Sequence, residues 1–271
     1  MEWKVVRYEV DGPVATVTLN RPYRGNSWTG RMEIEYRSAL QLAESDPAVR
    51  VVVLTGAGRQ FCVGADTRAL EGHVENGGYD DGLRGAPPPQ PGDPAHAAFG
   101  TRHGFLLAMS TPVIAAVNGA AAGVGFVVMC FADLRFVAAD AKLTTSTARL
   151  GMPVEYGLSW ILPRLVGAGR AAHLLYGSPV ITGREAAAIG LANESVEGGE
   201  TLAVATAYAH RLASGAAPSS LRTAKRQLWT DLAGTLARAD SEALRLLDDM
   251  VGSDDFTEGV AALVERRPPR F

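Results

Sequence analysis

Cysteine is scarce in this chain: of 271 residues only Cys62 and Cys130 are cysteines, each inside an apolar run. Two buried thiols are expected rather than a disulfide scaffold, which fits a reducing, cytoplasmic compartment. A bias toward one sign of charge is missing too. With 26 Lys and Arg against 29 Asp and Glu, the net charge is −3, so there is no global field to gather nucleic acid or an anionic membrane. No apolar run approaches the ~20 residues that span a bilayer. The opening MEWKVVRYEV lacks the basic-then-apolar pattern of a secretory signal. His and Cys do not cluster at metal-ligand spacing, so no metal is expected, and the G-x-S-x-G elbow of serine hydrolases is absent. What remains is 47% hydrophobic and 20% charged, the make-up of an ordinary globular protein with one large domain and room for an appendage.

The most informative stretch runs from Val51 to Ala65, VVVLTGAGRQFCVGA. Four apolar, mostly β-branched residues read as a strand buried on both faces. Thr55-Gly56-Ala57-Gly58 breaks it, and Gly64-Ala65-Asp66 is expected to open a helix. Backbone N–H groups at a helix start have no partner within the helix and sit at the positive end of its dipole. They suit an oxygen that turns negative during a reaction. Val113 to Gly125, VIAAVNGAAAGVG, repeats the grammar of strand, break and helix start. Two such starts facing each other would form an oxyanion hole.

Along the rest of the chain, Trp3–Val10 and Val14–Leu19 flank Asp11-Gly12-Pro13 as a hairpin. Thr29 caps a helix to about Ser45 carrying Met32, Tyr36, Leu40 and Ala43 on one stripe. Strand, strand, helix, strand implies an α/β fold with parallel crossovers. Residues 71–98, rich in Gly, Pro and Asp, read as an exposed mobile loop inserted in the 1–200 core. Phe99–Met109 reads as helix and Asp133–Ala138 as strand. From Thr201 onward the pattern is helical throughout, and residues 201–271 are expected to form an oligomerisation region, since each amphipathic helix needs a face to bury.

Several segments in order carry a resemblance: Leu19-Asn20-Arg21-Pro22 with Asn26, Leu54-Thr55-Gly56 with Phe61 to Asp66, Pro112 to Gly119, Leu162 to Gly167, Ala224-Lys225-Arg226 and Phe256 to Gly259. Together they resemble the crotonase, or enoyl-CoA hydratase/isomerase, superfamily over nearly the whole chain. That resemblance implies a crotonase-like spiral of ββα units with a C-terminal all-helical oligomerisation region, assembled as a homotrimer or a dimer of trimers. It implies a coenzyme A thioester as substrate, with no separate cofactor, its carbonyl held by the N–H groups of Ala65 and Val124. The second of these positions is usually glycine in the family.

Hydratases of the superfamily use two glutamates, one to activate water and one to handle the C2 proton. Transferred by position, these fall at Val127 and Thr147, neither of which exchanges protons at neutral pH. Glu155 instead matches the place where isomerases of the superfamily carry a single catalytic acid, and its neighbours are apolar, so burial would raise its pKa. One carboxylate suffices to shift a double bond, taking a proton from C2 and returning it at C4. Pairing of Glu155 with Arg149 or Arg164 is the structural alternative. Hydration or other enolate chemistry by an unconventional base, and silent acyl-CoA binding, remain as alternative functions. Relatives contact the coenzyme A nucleotide near Arg24 and Arg68, and Lys225, Arg266 and Arg267 are further candidates from the helical tail, of this or of a neighbouring subunit. Asp133 reads as structural, Asp66 as a helix cap, and His96 and His103 as exposed.

Overall fold

The sheet grows from the runs of β-branched residues. The computed structural model describes residues 3–80, 82–84, 89–197 and 199–271, without the side chains of 95–97. β1 (Val6–Asp11) and β2 (Val14–Leu19) form the hairpin; α1 (Gly30–Ser45) follows, its first turn capped by the Thr29 hydroxyl accepting from the Met32 N–H at 3.2 Å. β3 (Val51–Gly56) is buried along its whole length. α2 (Thr67–Asn76) and α3 (Phe105–Ala108) precede β4 (Val113–Val117), the two-residue β5 (Ala121–Ala122) and α4 (Val124–Phe131). β6 (Leu134–Ala138), β7 (Lys142–Thr144), α5 (Leu158–Val166), α6 (Ala168–Gly177), β8 (Ile181–Thr182), α7 (Gly183–Ala188) and β9 (Glu194–Val196) complete the mixed region. Four helices close the chain: α8 (Thr201–Gly215), α9 (Pro218–Asp231), α10 (Leu236–Val251) and α11 (Asp254–Glu265).

Among the described residues the strands make two sheets. Six lie in the order β1-β2-β3-β4-β6-β9 and three in the order β5-β7-β8. Beyond the antiparallel β1–β2 pair, the larger sheet is parallel. Its strands therefore deliver all their following loops to one edge, where ligand sites of parallel sheets form. Alternation along the strands divides the core. Val52, Leu54, Val113, Ala115 and Val117 face α1, α4 and α5 in the main cluster, while Val51, Val53, Ile114, Ala116 and Phe136 face the other side.

That second face is covered by α8, whose Ala205, Ala209 and Ala213, spaced by four, are fully buried in the same cluster. Small side chains on one stripe let the helix lie close on the sheet. The C-terminal helical region expected from residue 201 therefore opens with a helix packed on the sheet. Two expectations change. The segment expected to be a loop from residue 71 begins as the second half of α2, and the helix expected over Phe99–Met109 is confined to Phe105–Ala108, following a 3-10 turn at Pro94–Phe99.

At the opposite edge, where β4 and β6 begin, Asp133 binds three donors: the Val113 N–H at 2.7 Å, the Trp229 indole N–H at 3.0 Å and the Lys225 ammonium at 2.8 Å. Lys225 also donates to the Thr111 carbonyl at 3.0 Å. This network ties α9 to the start of the sheet, in line with a structural Asp133. Removing one partner of a buried ion pair strands the other, at a cost of roughly 3–5 kcal/mol. Asp133→Ala is expected to lose stability on that scale, measured as a lower urea midpoint with the slope unchanged.

Candidate functional site

Two loops leave the carboxyl edge of the sheet and are fastened together. Cys62 and Ala121 form an isolated parallel bridge. The Cys62 N–H donates to the Ala120 carbonyl at 3.1 Å, and the Ala122 N–H returns a bond to the Cys62 carbonyl at 3.0 Å. The contact is tight. A β-carbon on Gly125 would lie 2.2 Å from the Cys62 carbonyl oxygen, and one on Gly64 would lie 3.1 Å from the Ala122 carbonyl oxygen. Gly123 holds φ 49°, ψ −119°, a conformation essentially open to glycine alone.

Ala65 and Val124 follow this junction directly. Around Ala65 the chain bridges to Trp28: the Trp28 N–H donates to the Gly64 carbonyl at 2.7 Å, and the Asp66 N–H donates to the Trp28 carbonyl at 3.2 Å. In a parallel bridge these bonds use the residues on either side, which leaves the Ala65 N–H pointing to the opposite side of its chain. Ala65 thus lies in a strand-like bridge, and not at a helix start as expected. The helix begins two residues later, where the Asp66 carboxylate caps it by accepting from the Arg68 N–H at 3.2 Å. Val124 is the first residue of α4, so its N–H has no partner within the helix. Among the described residues neither the Ala65 nor the Val124 N–H has an acceptor. Both residues line one cavity of about 380 Å³.

Glu155 lines the same cavity, half-buried, in the loop before α5. Burial raises its carboxyl above the usual range, with Arg102 and His73 pulling it down less strongly. It forms no hydrogen bond or ion pair among the described residues. The alternative partner Arg164 stacks on Trp160 at 3.8 Å and donates to that residue's carbonyl at 2.9 Å. Val127 is buried in α4, and Thr147 lines the cavity with its hydroxyl buried and unpartnered.

The remaining expectations divide. Asp66 caps α2 and also binds Arg21 and Ser27, at 3.0 and 3.1 Å. Arg24, at the end of a 3-10 turn, and Arg68, in the first turn of α2, are exposed. Lys225 is placed otherwise than expected: it is buried at the far edge of the sheet, its ammonium committed to Asp133 and Thr111, away from the cavity. Arg267 pairs with Glu258 at 2.6 Å, which holds that carboxyl down at about 2. His103 is wholly buried instead of exposed, because the four apolar residues of α3 draw its segment inward. The side chain of His96 lies outside the described residues. No group of three His, Cys, Asp or Glu side chains among the described residues is disposed to hold a metal ion, and no helix among them is long and apolar enough to cross a membrane.

One cluster beneath the cavity escaped the sequence reading. Glu33, fully buried on α1, accepts from the Trp28 indole N–H at 2.8 Å and the Arg37 Nε–H at 2.6 Å. Burial raises this carboxyl, and the neighbouring Arg37 and Arg102 guanidinium groups lower it, the lowering prevailing. The available signal was the i, i+4 spacing of Glu33 and Arg37 beside the apolar stripe of α1. Tyr79 and Tyr156, hydroxyls 2.6 Å apart, extend the cluster into the cavity wall.

Among the described residues the chamber holds two unpartnered backbone donors and one isolated carboxylate, equipment for stabilising negative charge on an oxygen while a proton moves nearby. The comparisons with known proteins give that class its family. A family model described as enoyl-CoA hydratase/isomerase matches residues 9–84 and 95–271. A probable enoyl-CoA hydratase of Mycobacterium tuberculosis, EchA12, is 34% identical over 95% of this chain and 89% of its own length. One from Rhodobacter capsulatus is 34% identical over 100% and 99%. Among solved structures, a probable enoyl-CoA hydratase/isomerase from Mycobacterium abscessus superposes with a TM-score of 0.85 at 32% identity, covering 98% of both chains. An enoyl-CoA hydratase from Bacillus anthracis gives 0.86 at 28% identity, covering 99% of both. The chain belongs to the enoyl-CoA hydratase/isomerase family, within the crotonase superfamily, whose members act on acyl-CoA.

The fastened loops make a testable demand. Gly125→Ala forces a methyl against the Cys62 carbonyl, and overpacking of this kind costs roughly 1–3 kcal/mol. The variant is expected to melt at lower temperature and, where still folded, to bind butanoyl-CoA at least several-fold more weakly in calorimetric titration.

Proposed function

We propose that this protein moves the double bond of an enoyl-CoA thioester from C3 to C2, with Glu155 as the sole acid/base. The thioester carbonyl sits between the N–H groups of Ala65 and Val124. The Glu155 carboxylate takes a C2 proton, and the C2–H electron pair passes into the enolate, whose oxygen the two donors stabilise. As the double bond settles between C2 and C3, the protonated carboxyl returns the proton at C4. The reaction is redox-neutral, and coenzyme A enters only as part of the substrate. Arg24 and Arg68 present exposed guanidinium groups suited to its phosphates; Lys225 of the same chain is not in a position to assist. The observation that supports the reading is that, among the described residues, one unpaired, half-buried carboxylate shares a cavity with two unpartnered N–H groups, while Val127 and Thr147 supply no second acid/base.

A second reading, hydration, is favoured by the relatives named as probable enoyl-CoA hydratases. It needs a water activated without the usual pair of glutamates. A silent acyl-CoA binder is the third. Self-association as a homotrimer or a pair of trimers is proposed through the C-terminal helices, where Leu236, Leu244, Leu247, Leu263 and Val264 are exposed.

Glu155→Gln is expected to cut C2 deuterium exchange by roughly 100- to 10,000-fold while acyl-CoA affinity is retained; unchanged exchange removes Glu155 from the mechanism. Because the base must be ionised and burial raises its pKa, wild-type exchange is expected to rise with pH through a midpoint above the ordinary value of 4.5. Crotonyl-CoA incubated in heavy-oxygen water separates the readings. Isomerase chemistry leaves no label, whereas hydration places it in a 3-hydroxyacyl product.

A further inference from the structure

His103 is buried completely, and among the described residues neither ring nitrogen has a hydrogen-bond partner. An unsatisfied buried polar group costs roughly 1–3 kcal/mol, so its place is worth explaining. Burial pushes the imidazole down to about 4, keeping it neutral. The ring stands edge-to-face against two others. Its centroid lies 5.6 Å from that of Trp28 at an interplanar angle of 82°, and 5.2 Å from that of Tyr156 at 88°. At such distances a positive ring edge meets a negative ring face, and the geometry is directional.

Each of those rings belongs to one half of the proposed chemistry. Trp28 is the residue whose backbone brackets Ala65, through the bonds to Gly64 and Asp66, and so sets the direction of the Ala65 N–H. Its own side chain is pinned by the indole bond to Glu33. Tyr156 adjoins Glu155 and holds a φ of 53°, a conformation that non-glycine residues rarely adopt and that surrounding contacts must enforce. The Tyr79 hydroxyl fixes its outer end, and His103 packs against its ring from within the core. One rigid side chain thus touches both the segment that aims an oxyanion donor and the segment that carries the acid/base.

We propose that His103 is a positioning residue that sets the separation between the oxyanion hole and the Glu155 carboxylate. The inference rests on the function proposed above and extends it to a residue that does not line the cavity. Misplacement of reacting groups by about 1 Å can lower rates on the order of 100-fold, so the contact has leverage without touching substrate.

The test uses His103→Leu, which fills comparable volume without a ring edge, and His103→Phe, which restores an aromatic edge. Two readouts report the two halves. Infrared spectroscopy of bound butanoyl-CoA, carbon-13 labelled at C1, reads the pull of the oxyanion hole as a lowered carbonyl stretch. Deuterium exchange at C2 under saturating ester reads the placement of Glu155. In His103→Leu the lowering of the stretch is expected to shrink by half or more, and exchange to fall about tenfold or more, with both recovered in His103→Phe. A leucine variant that changes only the melting temperature overturns the proposal, as does one that changes only one readout. Failure of both variants to fold makes His103 a stability residue and overturns it equally. A wild-type protein that binds the ester but shows neither a lowered stretch nor exchange sinks the proposed function itself. Wild-type activity with an indifferent leucine variant sinks only the role of His103.

Discussion

The bridge between Cys62 and Ala121 is the constraint on which the site depends. Two crossover loops of a parallel sheet arrive at the same edge, but adjacency alone would leave their N–H groups free to turn toward water or neighbouring carbonyls. Exchange of backbone bonds between Cys62 and the 120–122 segment locks the loops in register. The absence of β-carbons at Gly64 and Gly125 lets them close to contact, and Gly123 supplies the positive φ of the turn. Both donors are then preorganised before any ligand arrives, which is what makes such groups effective against a developing charge. Val124 in place of the family's usual glycine does not touch this logic, because the donor is backbone. Its side chain acts on the shape of the chamber alone.

Much of this was legible because it is local. Runs such as Val51–Leu54 and Val113–Val117 announce buried parallel strands. The Thr29 cap of α1 and the Asp66 cap of α2 follow from residue types beside a helical pattern. The position of Glu155 was legible only through its resemblance to a family pattern. What escaped depends on contacts far along the chain. The strand-like bridge at Ala65 is made with Trp28, 37 residues earlier in the chain. The burial of His103 depends on Trp28 and Tyr156, and that of Lys225 on Asp133 and Thr111. Amphipathic α8 read as a face awaiting another subunit because a single sequence cannot say which surface an alanine stripe covers; here it is the molecule's own sheet.

The electrostatics of the two ends of the sheet differ in kind. At the edge where strands begin, Lys225 and Asp133 neutralise each other and bind Thr111, Val113 and Trp229, and the result is a fixed anchor. At the edge where strands end, donors and carboxylate are left without partners. Glu33 lies between these extremes, fully buried yet ionised through Arg37 and Arg102. It supplies the floor on which the Trp28 ring is set. Paired polar groups anchor the frame at one edge, and the two unpartnered N–H groups and the Glu155 carboxyl face the chamber at the other.

α2 contributes one wall of that chamber, yet none of its residues is buried. It is held at its start by the Asp66 cap and past its end by the contacts of His73 with Asp80 and Tyr79. Residues that are at most partly buried contribute less to global stability than a core, so side chains on this wall can be exchanged with little effect on the sheet. The shape of the chamber and the stability of the sheet are for that reason nearly independent traits in this molecule: one is written on a removable panel, the other in the frame behind it.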